Sequence, residues 1–454
     1  MAPLKILIVG LGIAGPSLAT LLLLDPTQAA EEKPQITILE RSSELRSAGQ
    51  SIDIRGVGVD VIRKLGLETA IRASTTGEEG VQFVDENNAI WAQMTADKSG
   101  KVQTGTSDIE ILRGRLASIF YERSKVISAE VQAKGGKGIE YVFGDVLDEL
   151  VQDEKSVRVR FARSGERRSF DVVVGADGLA SVTRRQAFGA EDDEKRMYRL
   201  PLYGAAFSIP KGENDVEWRR WFNAPGRRGV MVRPTHDPEM WSAAMFVIDA
   251  EDRDKRLLEV AYEGARAVER QKSLIKEKFE GAGWECARLV GAMDSTKDFY
   301  YLTIAQVRME KWSQGRVVML GDAGYCASPI SGMGTTLALT GAYNLAGSLL
   351  RNPNNLDAAF ARYETLMRPV VNKAQDFTIT GPMLMNPDTW WGIWMRNALV
   401  WFICWSGLAM LMFRIAGPKA DKVGGLTDFG LETLPQWNGW RELWKPKDPK
   451  YLCE

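Results

Sequence analysis

Histidine is almost missing from this chain of 454 residues, which contains one. His236 stands in Arg233-Pro234-Thr235-His236-Asp237-Pro238, which reads as a turn. Histidine-rich metal sites are excluded by that count. A Ser-His-Asp hydrolase finds no support around any serine. Cysteine is scarce as well. Cys286, Cys326, Cys404 and Cys453 are far apart and form no CxxC pair. That spacing argues against a disulfide framework or a zinc site and favours a reducing, cytoplasmic compartment. Neither charge sign is in excess, with 58 Lys+Arg against 59 Asp+Glu, so no basic footprint for nucleic acid exists. The run Glu191-Asp192-Asp193-Glu194-Lys195-Arg196 mixes signs and reads as a solvated surface. With no histidine or cysteine constellation to supply it, the chemistry must come from a cofactor or from other side chains.

Long hydrophobic runs are missing too. Residues 4–24 are mostly apolar, but Gly10-Leu11-Gly12-Ile13-Ala14-Gly15-Pro16 interrupts them as a strand, turn and helix would, which is not the pattern of a signal peptide. Near the other end, 398–413 is uncharged between Arg396 and Arg414, shorter than the roughly 20 residues a span needs. Eight of the fourteen tryptophans fall in the last 65 residues, five of them between Trp390 and Trp405. Two readings stay open there: a helix packed on the protein, capping a pocket, or peripheral membrane attachment through 390–416.

What is present is an alternation of short apolar runs and glycine turns. Lys5-Ile6-Leu7-Ile8-Val9 and Ile36-Thr37-Ile38-Leu39-Glu40 read as buried parallel strands flanking a helix over 14–24, one βαβ unit. Helical patterns cover 57–72, 113–133 and 257–283, and a long helix follows Gly334. Strands are expected at 80–94, at 157–161, at 170–174 and before Gly321. Between 200 and 250 alternation and turns dominate, which predicts a second, mainly antiparallel sheet. The fold class expected is α/β: a Rossmann-like domain (1–74, 105–185 and 297–375), an antiparallel-sheet substrate domain (75–104 and 186–296) and a C-terminal helical, Trp-rich segment (376–454).

Three motifs carry chemistry. In Gly10-x-Gly12-x-x-Gly15, the first glycine permits the tight turn, the second admits a pyrophosphate, and the third lets helix and strand pack. The helix start offers N–H groups and a positive dipole end to phosphates. Glu40 closes the second strand, 25 positions after Gly15, where a carboxylate can hold ribose hydroxyls. The second motif is Val174-Gly175-Ala176-Asp177-Gly178, followed by Ser181 and Arg184; alone, it is a strand-terminal turn. The third is Gly315-Arg316-Val317-x-Met319-Leu320-Gly321-Asp322-Ala323, followed by Ser328-Pro329-x-x-Gly332-x-Gly334. A strand there delivers Asp322 to its carboxyl end, where open α/β sheets bind ligands.

Together, in this order, these motifs resemble the single-component FAD-dependent aromatic hydroxylase superfamily. The run from Leu320 to Gly334 is similar to its branch of tetracycline-inactivating monooxygenases and their fungal and actinobacterial relatives. The resemblance covers residues 5 to about 375. It implies FAD as cofactor, NADPH or NADH as a transient reductant, molecular oxygen as co-substrate, and oxygen transfer from a flavin hydroperoxide to a small, largely apolar, aromatic or polyketide-like molecule. By position it implies FAD-binding roles for Gly10, Gly12, Gly15, Glu40, Arg41, Asp53, Arg113, Asp177, Gly321, Asp322, Pro329, Gly332, Met333 and Gly334. Asp53 and Arg233 are the candidate catalytic side chains, and Trp221, Met231, Arg233 and Phe246 the candidate pocket lining. Many relatives carry histidine where this chain has Tyr325, which leaves that position without the family's role. Two alternatives stand beside this reading: a flavoprotein oxidoreductase that inserts no oxygen, and a non-catalytic protein binding FAD or an apolar ligand. Flavin halogenation is discounted, because Trp390-Trp391-Gly392-Ile393-Trp394 does not match WxWxIP.

Overall fold

A computed structural model describes residues 2–45, 50–95, 109–376, 379–406 and 425–443. Residues 407–416 of the apolar stretch and Cys453 lie outside them.

The branched apolar runs form a parallel sheet in the order Val317–Met319, Val172–Gly175, Lys5–Val9, Gln35–Glu40, Ile139–Phe143, with Ser313–Gln314 antiparallel at one edge. Ile6, Leu7 and Ile8 are fully buried because both faces are covered. A three-stranded antiparallel sheet (Leu147–Gln152, Val157–Phe161, Arg167–Phe170) supplies Val157, Val159 and Phe161 against Leu7, Val9 and Val173. Helices Ala14–Leu22, Arg113–Ala133 and Gly334–Arg351 supply the larger core on the other face, through Leu18, Leu116 and Leu345 among others.

The second sheet runs Tyr300–Val307, Met197–Pro210, Met240–Ile248, Arg228–Pro234, Arg219–Ala224, Gly80–Val84, Ile90–Thr95. It is antiparallel except where Arg219–Ala224 lies parallel to Gly80–Val84. Helices Arg256–Glu263, Val268–Phe279 and Cys286–Ser295 cover one face through Leu257, Leu274, Phe279 and Leu289.

Three expectations change. The domain boundary at 296/297 is too early, because Tyr300–Val307 pairs with Met197–Pro210 and so belongs to the second sheet. The helix expected over 257–283 breaks at Gly264, which sits at φ +58°, and its next segment ends at Phe279. The C-terminal segment is only partly helical. After Thr380–Met385 and Trp390–Trp405, residues 425–438 run without regular secondary structure over the first domain. There the backbone N–H groups of Glu432, Leu434 and Trp437 donate to the carbonyls of Leu24, Lys64 and Gly66 at 2.8–2.9 Å. The Phe429 ring occupies the space a Cβ at Gly347 would need, 2.2 Å away, and Arg351 ties Asp25 (2.8 Å) to the Phe429 carbonyl.

Candidate cofactor and substrate site

The parallel sheet brings the three motifs to one edge. Beyond the strand ends the backbone ladder continues: Leu320 N–H donates to Gly175 (2.9 Å), Ala176 to Val9 (2.8 Å) and Gly10 to Leu39 (2.8 Å). Motifs more than a hundred residues apart are thereby joined by single hydrogen bonds at the carboxyl ends of neighbouring strands.

The glycines divide into two kinds. Gly10, at φ +114°, would place a Cβ 2.4 Å from the Ala176 carbonyl, and Gly15 one 2.1 Å from the Gly10 carbonyl. These two shape the turn itself. At Gly12 no protein atom lies within 4 Å of a Cβ position, so its lack of a side chain serves something other than protein packing. The helix Ala14–Leu22 begins at Ile13 with no side-chain cap, leaving its first N–H groups for an anion. Glu40 accepts from Leu11 N–H (3.0 Å) and Ser42 N–H (2.9 Å), which fixes its carboxylate beside the glycine turn. Arg41 and Arg113 are exposed and have no ion-pair partner among the described residues. A dinucleotide with a pyrophosphate fits this set of groups.

Asp322 opens a short helix, Asp322–Tyr325, and its Oδ1 faces the Cβ position of Gly334 at 3.9 Å, at the start of the uncapped helix Gly334–Arg351. A Cβ at Gly321, which sits at φ +66°, would lie 3.7 Å from both the Ala14 and Ala338 methyls, so the first turns of both helices approach the residue before Asp322. The loop between is held open by backbone geometry: Ser328 adopts φ +78° and Gly332 φ +61°. Ser328 Oγ accepts from Ile330 N–H at 3.2 Å, and Met333 N–H donates to Ser331 Oγ at 3.2 Å. A non-glycine residue at positive φ costs of order 1–3 kcal/mol, a cost that structures retain where a site demands it.

The other site candidates are differently placed. Asp53 lies beside the loop, its Oδ2 3.6 Å from the Gly332 Cβ position. That carboxylate is held by Arg55 through Nη2 (2.5 Å) and Nε (3.2 Å), so it does not stand as a free base. Asp177 spends both oxygens on the turn that follows it: Ser181 Oγ donates at 2.5 Å, Thr183 N–H at 3.0 Å and Thr183 Oγ1 at 3.1 Å. Arg233 belongs to a buried box of four charges. Glu78 pairs with Arg219 and Arg233, each at 2.9 Å, and Glu110 pairs with Arg219 at 3.1 Å and with Arg233. Arg233 thus fixes the sheet to the ribbon Ser51–Asp53/Glu110–Leu112, where Glu110 is the register partner of Asp53. Its guanidinium is committed to glutamates, which corrects its candidacy as a catalytic or lining residue. His236 is exposed in its turn. Cys286 and Cys326 are buried, and burial pushes the Cys286 thiol up to about 12, so neither serves as a thiolate.

Two residues acquire roles their neighbourhoods in sequence did not show. Arg184 is fully buried; its Nε meets Asp193 at 2.6 Å, Nη1 the Ala323 carbonyl at 2.8 Å and Nη2 the Leu179 carbonyl at 2.9 Å. It clamps the second motif to the third. Asp193 is therefore buried, which corrects the solvated reading of the 191–196 run. Tyr325 points into the core, its ring tilted against Trp312 (centroids 4.6 Å, 44° between planes) with its hydroxyl 2.8 Å from that of Tyr363. Replacing it with phenylalanine is expected to cost about 1 kcal/mol of stability. The flavin spectrum and turnover should stay unchanged, as thermal melting and steady-state assays would read; altered flavin absorbance would place the hydroxyl at the cofactor instead.

The apolar candidates do come together. Trp221, Met231 and Phe246 on the second sheet pack with Ile330 of the glycine loop and with Ile379 and Met383 of the C-terminal segment. Trp221 and Phe246 meet edge to face at 6.3 Å, and Phe83 stacks on Trp221 at 5.7 Å.

Known proteins agree with this arrangement. Residues 3–378 match the family described as FAD binding domain. The chain is 35% identical over 382 residues to the FAD-dependent monooxygenase asL6 of Sarocladium schorii, covering 83% of this chain and 87% of that one. It is 34% identical to monooxygenase CTB7 of Cercospora beticola, covering 83% and 88%. Among solved structures, tetracycline destructase Tet(55) superposes with a TM-score of 0.71 at 28% identity, covering 94% and 99%. The fold and the three motifs are shared with these proteins, and the chain belongs to the FAD-binding family of flavin-dependent monooxygenases.

Proposed function

We propose that this enzyme uses NADPH or NADH and molecular oxygen to hydroxylate or epoxidise a small, largely apolar organic molecule with aromatic or polyketide-like character. The observation that carries the reading is the shared packing of Ile330 with Trp221, Met231 and Phe246, which sets an apolar wall against the glycine loop. Bound FAD supplies the redox chemistry and oxygen activation that no side chain here provides. The protein's part is placement. Gly10, Gly12 and Gly15 with the helix start at Ala14 receive the pyrophosphate, and Glu40 and Asp322 receive hydroxyls of the ribose and ribityl chain. The loop 329–334 gives close backbone approach to the ring. The wall excludes water from the reacting face and orients the substrate. The indole N–H of Trp221 is buried without a partner among the described residues, a condition that a substrate oxygen would relieve. Supporting the substrate class are the relatives themselves, the monooxygenases of Sarocladium schorii and Cercospora beticola and a tetracycline destructase.

The test is the visible spectrum of the purified protein in air, with NADPH or NADH added before and after a panel of phenolic and polyketide compounds. A yellow protein whose bleaching and oxygen uptake accelerate with one compound, giving a product heavier by one oxygen, is the expected result. Bleaching without oxygen insertion into any compound would move the chain to the oxidoreductases that insert none. For the wall, Trp221→Ala is expected to raise the KM for that compound roughly 10- to 100-fold, the loss of one aromatic anchor. FAD content should not change; an unchanged KM would remove Trp221 from the substrate's surroundings.

A further inference from the structure

The helix Trp390–Trp405 is built inside out. Its sequence, WWGIWMRNALVWFICW, has one charged residue, Arg396, and that residue is buried at 7% exposure, as is its neighbour Asn397. Arg396 donates through one nitrogen to Asn223 Oδ1 at 2.5 Å, while its Nε and Nη1 find no partner among the described residues. Burial without an acid holds its pKa down at about 10. The outward side carries Trp390, Trp391, Trp394, Met395, Leu399, Trp401, Phe402 and Trp405, each about half exposed or more, with Trp405 at 71%. At about 100° per residue these eight side chains occupy one half of the helix cylinder. Ile393, Arg396, Asn397, Val400 and Cys404 occupy the other half, turned toward the edge of the second sheet at Val81, Phe83 and Ala92. In water alone this is the costly orientation on both sides: a guanidinium is desolvated without an anion, and a large aromatic surface is left wet.

We infer that this helix is a lipid-surface anchor, lying in the headgroup region of a bilayer with its tryptophans downward. Four observations choose lipid as the occupant. The exposed arc holds five indoles, the side chain that prefers the membrane–water interface, where an apolar ring and a polar N–H are both accommodated. The apolar surface is a convex half-cylinder. A second rigid copy would cover only a strip of it, whereas fluid acyl chains and headgroups cover all of it. The arc carries no Lys, Arg, Asp or Glu, so it offers no charge pattern for a particular protein partner and matches neutral phospholipid. Finally, among the described residues no helix is long and apolar enough to cross a membrane, and the 16 residues of Trp390–Trp405 fall short of the roughly 20 that a span needs. The same helix packs through Val400 and Cys404 in one cluster with Trp221 and Met385, so the lipid-facing element backs directly on the apolar wall of the proposed substrate site. An apolar substrate dissolved in lipid would have a short route to that wall.

The experiment uses the full chain loaded with FAD and neutral phosphatidylcholine vesicles. Flotation measures binding, and quenching of tryptophan emission by brominated acyl chains measures depth. The variant is Trp391→Lys/Trp401→Lys/Trp405→Lys, at three exposed positions; flavin absorbance and thermal melting confirm that it folds. Wild type is expected to float and to be quenched. The variant should bind about a thousandfold more weakly, roughly tenfold for each of the three indoles withdrawn from the interface. Failure of the wild type to float overturns the inference. In that event a dimer that the three lysines split assigns the face to a second copy. Tryptophans shielded from a soluble quencher in a monomer assign it to the chain's own neighbouring residues. Flotation that requires anionic lipid would also overturn it, because the exposed arc has no cation.

Discussion

Gly12→Ala is expected to give a folded protein that has lost its colour. No protein atom lies within 4 Å of the new methyl, so the apoprotein should melt within about 0.5 kcal/mol of wild type. The methyl instead projects into the path of the pyrophosphate. Overpacking a close contact of that kind costs about 1–3 kcal/mol, or roughly 10- to 100-fold in FAD affinity. Titrating the apoprotein with FAD, followed by the loss of flavin fluorescence, reads the second quantity; scanning the apoproteins reads the first. Gly15→Ala is the contrasting variant. Its methyl meets the Gly10 carbonyl at 2.1 Å, so both the turn and the cofactor should be lost. Wild-type affinity in the Gly12 variant would mean that the glycine turn is not where the pyrophosphate lies.

The second large effect is expected at Arg184, which is fully buried. Arg184→Met keeps the length of the side chain and removes its charge and donors. Asp193 is then left buried without its partner, and the carbonyls of Leu179 and Ala323 lose their donor. Breaking a buried pair on one side costs about 3–5 kcal/mol, more than an apolar replacement of both members. Arg184→Met/Asp193→Leu should therefore recover part of the loss in urea unfolding. Because Ala323 follows Asp322, the single variant should also release FAD faster. Stability equal to wild type would show that the clamp between the two motifs is dispensable.

The parts of the site legible in sequence are those whose signal is local. Gly10, Gly12, Gly15 and Glu40 lie within one βαβ unit, and Asp322 and the 329–334 loop within one strand, turn and helix start. Each follows from short-range backbone geometry. What could not be read depends on partners far along the chain. Arg233 pairs with Glu78, 155 residues away, and nothing near Arg233 distinguishes an arginine that meets substrate from one that meets two glutamates. Asp193 sits in a run of charges that looks solvated, yet Arg184 draws it inside. Tyr325 stands where many relatives carry histidine, and the space left by Gly341 and the contact with Trp312 turn it to the core. The strand Tyr300–Val307 joins the second sheet and not the first, which sequence does not show because alternation marks a strand without naming the sheet it joins.

The segment 425–438 bears on what counts as the smallest autonomous unit of this protein. The match to the FAD-binding domain family ends at residue 378, yet the interior of the first domain does not close there. Phe429, Leu431, Leu434 and Trp437 are each at most 9% exposed and belong to the same core as Leu18 and Leu345. The helices Ala14–Leu22 and Gly334–Arg351 point their first turns at the candidate cofactor site and are strapped together at their far ends by Asp25, Arg351 and the Phe429 carbonyl. The segment 425–438 thus works as a keystone: it locks the two helices together at the ends away from the candidate cofactor site. A chain cut at the family boundary is an arch without that stone, and the domain that conservation of name would carve out is not the domain that folding completes.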